Sequence, residues 1–400
     1  MISVAEAEAR ILAGVSPVAA GRIGLDEAAG RVLAAAVAAP RTHPPHDVSS
    51  MDGYAVRQAD IAALPAMLEI VERIAAGAMP QLAIGAGQAA RIFTGAVIPA
   101  GADTVVIQED TRAEAKRVAV LEATALGRNI RRAGYDFRSG DGLAAAGARL
   151  TPQQVALFAA ANVATVAAHR RPRVAILATG DELVPPGIAP EGAQIVASTG
   201  IALAAMLRGW GAEPIDLGIA RDDPEEIRAK VAPGLDADVL VTLGGASVGD
   251  HDIVKPALGP LGLSVDFWKI AMRPGKPLMF GAIGSTRVLG LPGNPVSSLV
   301  CARLFLEPLV RVLGGESWRG HRLIEARLGA ALGANDQRQD YVRATVEASQ
   351  DGPIATALPL QDSGNLSGFA RADGLILRAP HAPAAEIGAP IKLLPLASWL

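Results

Sequence analysis

Cysteine is almost absent from the 400 residues: Cys301 stands alone. A single thiol excludes an intramolecular disulfide framework. Within an apolar run at helical spacing it reads as a buried structural group, which suits a reducing cytoplasm. Aromatic residues make up only 4% of the chain, and arginine is favoured over lysine; coding bias accounts for both, and neither points to a function. An excess of one charge is also lacking, since 37 Lys and Arg face 40 Asp and Glu for a formal net charge of −3. Without a broad field of one sign, neither nucleic acid nor an anionic membrane is an expected partner. No stretch approaches the roughly 20 uncharged apolar residues of a membrane span, and the segment 1–12 carries Glu6 and Glu8 where a signal peptide would be apolar. The expectation is a soluble cytoplasmic protein. Internal repeats and low-complexity segments are missing too.

Hydrophobic residues account for 50% of the chain and charged residues for 19%, a balance that supports packed cores rather than disorder. The length exceeds the roughly 100–200 residues of one ordinary domain, so several are expected. Ser3 and Glu6 have capping-box spacing ahead of a helical pattern, and a second helical pattern follows Asp26. From Arg41 the composition shifts to short strand-like runs such as 89–93 and 104–108, separated by Gly and Pro. Thr151-Pro152 then opens an apolar helix to about Ala161. From Arg173 apolar strands alternate with amphipathic helices, the pattern of a parallel sheet covered on both faces: VAILA, PIDLGI, DVLVTLG, FWKIA and RVLGL, with helices near 201–208, from Pro224, near Val254, and from Pro295 to about Val312. Beyond Gly320 only strand-like runs remain, as in a barrel or small sandwich. The predicted architecture is α/β plus β and multidomain: a helical linker region (1–40 and 141–170), an inserted β-rich domain (41–140), a doubly wound parallel-sheet domain (171–320) and a C-terminal β-barrel (321–400).

Open parallel sheets bind ligands outside the carboxyl ends of their strands, so the segments following the strands are the candidates for chemistry. These are Thr179-Gly180-Asp181-Glu182, then Gly244 to Asp252, then Arg273-Pro274-Gly275-Lys276-Pro277, then Leu291-Pro292-Gly293-Asn294-Pro295. The Gly244–Gly249 loop can present bare backbone N–H groups to a phosphate, yet it is neither a P-loop nor a dinucleotide fingerprint, and by itself it suits a structural turn equally well. Glu182, Asp222, Asp250 and Asp252 can hold a divalent ion that bridges phosphate oxygens. Asp223 reads as the cap of the helix opened by Pro224. Arg273 and Lys276 set two cations on a tight turn, suited to a tetrahedral oxyanion or simply to solvent. His251 lacks a second histidine at ligand spacing, which argues against zinc. From the residues alone, Ser49–Ala55 and Phe93–Ala96 are polar turns, and no substrate can be named.

Eight segments in order resemble the molybdopterin molybdenumtransferase family, whose eukaryotic members include the larger domain of gephyrin-type proteins: SSMDGYAVR, ARIFTGAVIPAGADTVVIQED, NIRRAGYDF, RPRVAILATGDELV, DLGIARDD, LGGASVGDHDIVK, FWKIAMRPGKPLMFG and GLPGNPVSS. The resemblance spans nearly the whole chain. It implies a homodimer that uses adenylylated molybdopterin and molybdate as substrates, inserts the metal at the pterin dithiolene and releases AMP with a divalent cation, usually Mg2+. A molybdopterin adenylyltransferase is an implied partner.

By position, the resemblance makes Asp52, Thr94 and Asp136 catalytic residues of the inserted domain, acting in a cleft shared with the partner's pterin domain. Glu182, Asp222 and Asp252 become the catalytic carboxylates of the pterin domain, with Glu182 and Asp252 as metal ligands. Gly244, Gly245, Ser247, Gly249 and Asp250 would hold pterin or phosphate. Lys269, Arg273 and Lys276 would face the anionic ligand, Pro292 and Pro295 would stiffen the loop beneath it, and Arg343 and Ser363 would complete the molybdate site. Molybdate would be held by cations beside the dithiolene while the phosphoanhydride is cleaved, a step that depends on charge neutralisation and positioning. Two departures stand out. Arg273 occupies a position where the family commonly has lysine, exchanging a point charge for a planar fork, and Ala246 replaces a common valine. The Gln361–Asn365 turn aligns in more than one register. Competing readings are a non-catalytic scaffold, which would be expected to carry a fused partner-binding module, and a related pterin enzyme, either an adenylyltransferase or a paralogue that handles tungstate.

Overall fold

The computed structural model describes residues 1–245 and 253–396. The helix α1 (Val4–Leu12) starts where Ser3 Oγ accepts the Glu6 backbone N–H at 3.1 Å, and it buries Ala7 and Ile11. The helical pattern after Asp26 yields only a short 3-10 turn, Leu25–Glu27. Gly30 follows with φ +75, a left-handed conformation that stops a helix; Val32 and Leu33 are buried from irregular chain. The chain divides into two compact units, 22–29 with 35–166 in one and 1–21, 30–34 and 167–400 in the other.

The smaller unit is built on a six-stranded mixed sheet. Its strands are β1 (Gly53–Val56), β2 (Ala66–Ile74), β3 (Gln88–Ile92), β4 (Thr104–Ile107), β5 (Thr111–Glu114) and β6 (Arg117–Val120), in the order β4-β1-β3-β2-β6-β5. All pairings are antiparallel except β2 with β3. At the β1 start only glycine fits, because a Cβ on Gly53 would collide with the Val106 carbonyl of the neighbouring strand. The connector helix α2 (Pro152–Ala160) has a complete capping box from Thr151 and Gln154.

The larger unit contains a second six-stranded sheet. Its strands are β7 (Arg173–Thr179), β8 (Glu213–Ala220), β9 (Val239–Leu243), β10 (Ser264–Phe267), β11 (Met279–Ile283) and β12 (Thr286–Leu291), in the order β8-β7-β9-β12-β11-β10. The four strands β8, β7, β9 and β12 run parallel. Two features differ from the sequence expectation: the strand expected at FWKIA lies earlier, at Ser264–Phe267, and β11 is an additional strand that pairs antiparallel with both β12 and β10. The cause is a two-residue turn, Gly284-Ser285, between the paired residues Ile283 and Thr286; Gly284 takes φ +57 there.

Helices cover both faces of this sheet. On one side Val174, Ile176, Val239 and Val241 pack with α3 (Thr199–Trp210) and α6 (Pro295–Cys301), which runs on through a π-turn into α7 (Glu307–Leu313). On the other, Ala175, Leu177 and Leu240 meet α4 (Pro224–Val231) and α5 (Val254–Leu258). Successive strand residues thus feed opposite cores, which makes the domain doubly wound.

Five further strands close a barrel: β13 (Ile324–Leu328), β14 (Gln339–Glu347), β15 (Ile354–Ala357), β16 (Gly374–Arg378) and β17 (Pro390–Pro395). They pair around the ring β14-β15-β13-β17-β16, and β16 returns to β14. The short strand Met272–Arg273 of the α/β domain adds in parallel to β14, with Arg273 opposite Asp340. Among the described residues no helix is long and apolar enough to cross a membrane.

Candidate functional site

The strand order places β7 between β8 and β9, so the chain leaves β7 in one direction and returns on its other side. The carboxyl ends of β7 and β9 form the switch point where open α/β sheets receive ligands. A cleft of about 1100 Å³ opens there.

Its floor is a close approach of two backbones. Gly244 and Gly245 take φ +92 and +64, and a Cβ on Gly244 would lie 2.8 Å from the Thr179 carbonyl oxygen. Only glycine meets both demands. Thr179 is 4% exposed and its Oγ1 has no hydrogen-bond partner among the described residues.

Among the described residues, Glu182 and Asp222 are the strand-end carboxylates that line the cleft. Glu182 is exposed, and its carboxylate lies over Gly180, where a Cβ would meet Glu182 Oε2 at 2.5 Å. Asp222, also exposed and lining the cleft, accepts no cap role; its N–H donates to Asp181 Oδ1 at 3.1 Å. The cap of α4 is Asp223, whose Oδ1 accepts the N–H groups of Glu225 and Glu226 at 2.9 and 2.7 Å.

The opposite wall comes from the 273–277 turn, the 292–295 loop and the barrel. Arg273, Lys276, Pro292, Pro295 and Ser363 all line the cleft. Ser363 Oγ accepts from Asn294 Nδ2 at 2.8 Å, and the Ser363 carbonyl accepts the Val296 N–H at 3.1 Å, so the barrel turn is tied to the start of α6. Arg273 is exposed in the cleft, but its guanidinium is paired. Its Nε and Nη2 donate to Asp340 Oδ2 at 3.0 and 2.5 Å, and Nη1 lies 3.6 Å from Asp336. The Asp340 hydrogen bonds raise its pKa against the opposing effect of burial.

Two sequence expectations take a different form in the structure. Arg343 is 1% exposed and does not line the cleft. Its Nε and Nη1 donate to Gln361 Oε1 at 3.2 Å and the Asp362 carbonyl at 2.8 Å, so it supports the turn that carries Ser363 from below. Lys269 is half-buried and stands away from the cleft lining; its carbonyl accepts the Ile2 N–H at 3.2 Å. Both positions are governed by barrel and terminal contacts that strand-end reasoning does not see. Ser247, Gly249, Asp250 and Asp252 lie outside the described residues.

In the smaller unit Asp52 and Thr94 are brought together. Asp52 Oδ1 accepts both the Thr94 N–H and the Thr94 hydroxyl at 2.8 Å; the Thr94 N–H and then its hydroxyl hold the carboxyl below the usual range. Asp136 lines a separate pocket of about 570 Å³ with His43, His46 and Arg131. Arg338 is a cleft residue that sequence reasoning missed; it pairs with Asp336 at 2.7 Å, and that pairing lowers the Asp336 carboxyl to about 2. Asn294, within the 291–295 loop selected from sequence, lines the cleft as well.

The fold and cleft together define an α/β protein of the open-sheet class, with its cleft at the strand carboxyl ends where such sheets receive ligands. Three family models match along the chain: the MoeA N-terminal region (domain I and II) at residues 2–162, a probable molybdopterin binding domain at 175–312, and the MoeA C-terminal region (domain IV) at 325–396. The chain belongs to the molybdopterin molybdenumtransferase family. It is 39% identical over 365 residues to the molybdopterin molybdenumtransferase of a Nostoc species, covering 88% of this chain and 83% of that one. It is 35% identical over 382 residues to the Haemophilus influenzae protein of the same name, covering 94% of each. Among solved structures, a molybdopterin biosynthesis MoeA protein from Pyrococcus horikosii superposes with a TM-score of 0.82 at 30% identity over 100% of both chains.

Proposed function

We propose that the protein inserts molybdenum from molybdate into adenylylated molybdopterin and releases AMP. The observation that carries this reading is one cleft at the topological switch point. It joins two exposed carboxylates, Glu182 and Asp222, to a glycine pair and to Lys276. Such a site can bind a phosphate-bearing pterin and a tetrahedral oxyanion side by side, in keeping with the names of the relatives.

Each group has a physical task. Gly244 and Gly245 let the ligand approach the backbone closely. Lys276 provides a mobile point charge for the oxyanion, and Pro292 and Pro295 stiffen the loop beside it. Mg2+ fits this site on one condition. Among the described residues no cluster of three protein ligands exists, but Mg2+ commonly takes one or two carboxylates and completes its shell with phosphate oxygens and water. Glu182 and Asp222 would supply those carboxylates, and the ion would neutralise phosphate charge. Asp252 belongs to the same proposal by sequence position. Asp52, Thr94 and Asp136 are proposed to meet the substrate as well; the Asp52 carboxylate is already oriented by two hydrogen bonds from Thr94. The reading includes a homodimer in the cytoplasm and a molybdopterin adenylyltransferase as supplier of substrate.

Replacing Lys276 with Ala is expected to lower molybdate-dependent AMP release about 100-fold, the scale of losing one electrostatic contact to a reacting anion. Release by a folded Lys276→Ala protein at the wild-type rate and molybdate dependence contradicts the assigned role.

A further inference from the structure

We infer that Asp340 is a positioning residue for the molybdate side of the cleft, and that Arg273 is a strut between the barrel and that cleft rather than a ligand of the oxyanion. The inference rests on the proposed function and adds a residue that strand-end logic does not select. Its basis is a dense contact at the barrel edge. The Met272–Arg273 strand is added to β14, with Arg273 opposite Asp340, and the Gln339 N–H donates to the Ala271 carbonyl at 2.9 Å. The Arg273 side chain follows the same path, with two hydrogen bonds to Asp340 Oδ2 at 3.0 and 2.5 Å and a longer one to Asn335 Oδ1 at 3.4 Å.

Asn335 is itself fixed, since its Nδ2 donates to the carbonyls of Arg338 at 2.8 Å, Arg378 at 3.2 Å and Ala379 at 2.8 Å. Arg338 is held by Asp336 at 2.7 Å. Two cations therefore face two carboxylates, and this cluster adds almost no net charge to the cleft. It fixes geometry instead. Lys276 follows three residues later, beyond Gly275, and its carbonyl accepts the N–H groups of Ile270 and Leu278 at 3.1 and 3.2 Å. The barrel anchors the Met272–Arg273 strand, and that strand leads directly into the turn that carries Lys276 into the cleft. A planar fork spreads its donors in fixed directions over Asp340, Asp336 and Asn335, whereas a lysine ammonium offers a point charge on a flexible stem, and this gives arginine at position 273 a purpose.

The test separates positioning from charge. Removing the Asp340 charge near an anion leaves its binding unchanged or tighter, whereas loosening the turn misplaces Lys276 for the reaction. Asp340→Asn is therefore expected to lower kcat for molybdate-dependent AMP release about tenfold without raising the KM for molybdate. Arg273→Lys is expected to act in the same direction, and the double variant to be no worse than the poorer single one, as for two residues on one path. Amide hydrogen exchange over residues 271–278 should quicken in Asp340→Asn. That readout is independent of catalysis, so it still tests the strut if the wild-type protein releases no AMP and the proposed function itself fails. A kcat within twofold of wild type, a raised KM at unchanged kcat, additive losses in the double variant, or unchanged exchange would each overturn the inference.

Discussion

Thr242 carries a hydroxyl with no hydrogen-bond partner among the described residues, in a strand where every residue is buried. It shares the β9 face of Leu240, which packs on the apolar α4 and α5 side. A buried hydroxyl without a partner costs about 1–3 kcal/mol. Thr242→Val keeps the branched shape and should stabilise the protein by about 1 kcal/mol in urea denaturation; an equal loss of stability would show that the hydroxyl has a partner in solution. Legibility at this scale was uneven. Glu182 and Asp222 could be selected from sequence because each follows a strand of one sheet, and Lys276 because it stands on a Pro-Gly turn; all three line one cleft. The burial of Arg343, assigned to the molybdate site by resemblance, was not legible, because it depends on the barrel register around Gln361. The pairing of Arg273 was hidden for the same reason: Asp340 lies 67 positions away in the chain.

The 273–277 turn is the element on which the cleft depends most. Gly275 has φ +111, and a Cβ there would collide with Cys301 Sγ on α6 and lie 3.2 Å from Met272 Cε. Burial of Cys301, meanwhile, drives its thiol pKa far upward and leaves it inert. Gly275→Ala is expected to destabilise the protein by about 2 kcal/mol or more through backbone strain and overpacking. Adding Cys301→Ala should restore part of that loss, since it removes the clash and leaves the strain. No recovery in thermal unfolding would place the cost in the backbone alone. Elements with strong periodicity were readable: β7, β9 and the long helix from Pro295 follow from apolar runs and caps. The β11 strand was not, because the 279–283 run sits between a proline-rich turn and a two-residue hairpin that period alone does not reveal. The helix expected after Asp26 failed for the opposite reason, since Gly30 ends a pattern that composition favours.

At the scale of the whole molecule, the mixed sheet, the doubly wound domain and the closed barrel each follow from a change in hydrophobic period along the chain. The activity does not follow from period. It rests on loops that converge only after folding and on the relatives that share them. The most direct measurement is AMP release from the purified wild-type protein, supplied with adenylylated molybdopterin and Mg2+, with and without molybdate. Release that depends on molybdate and coincides with molybdenum retained on the pterin is the predicted result; tight binding of the pterin with no AMP released at any molybdate concentration would contradict the account.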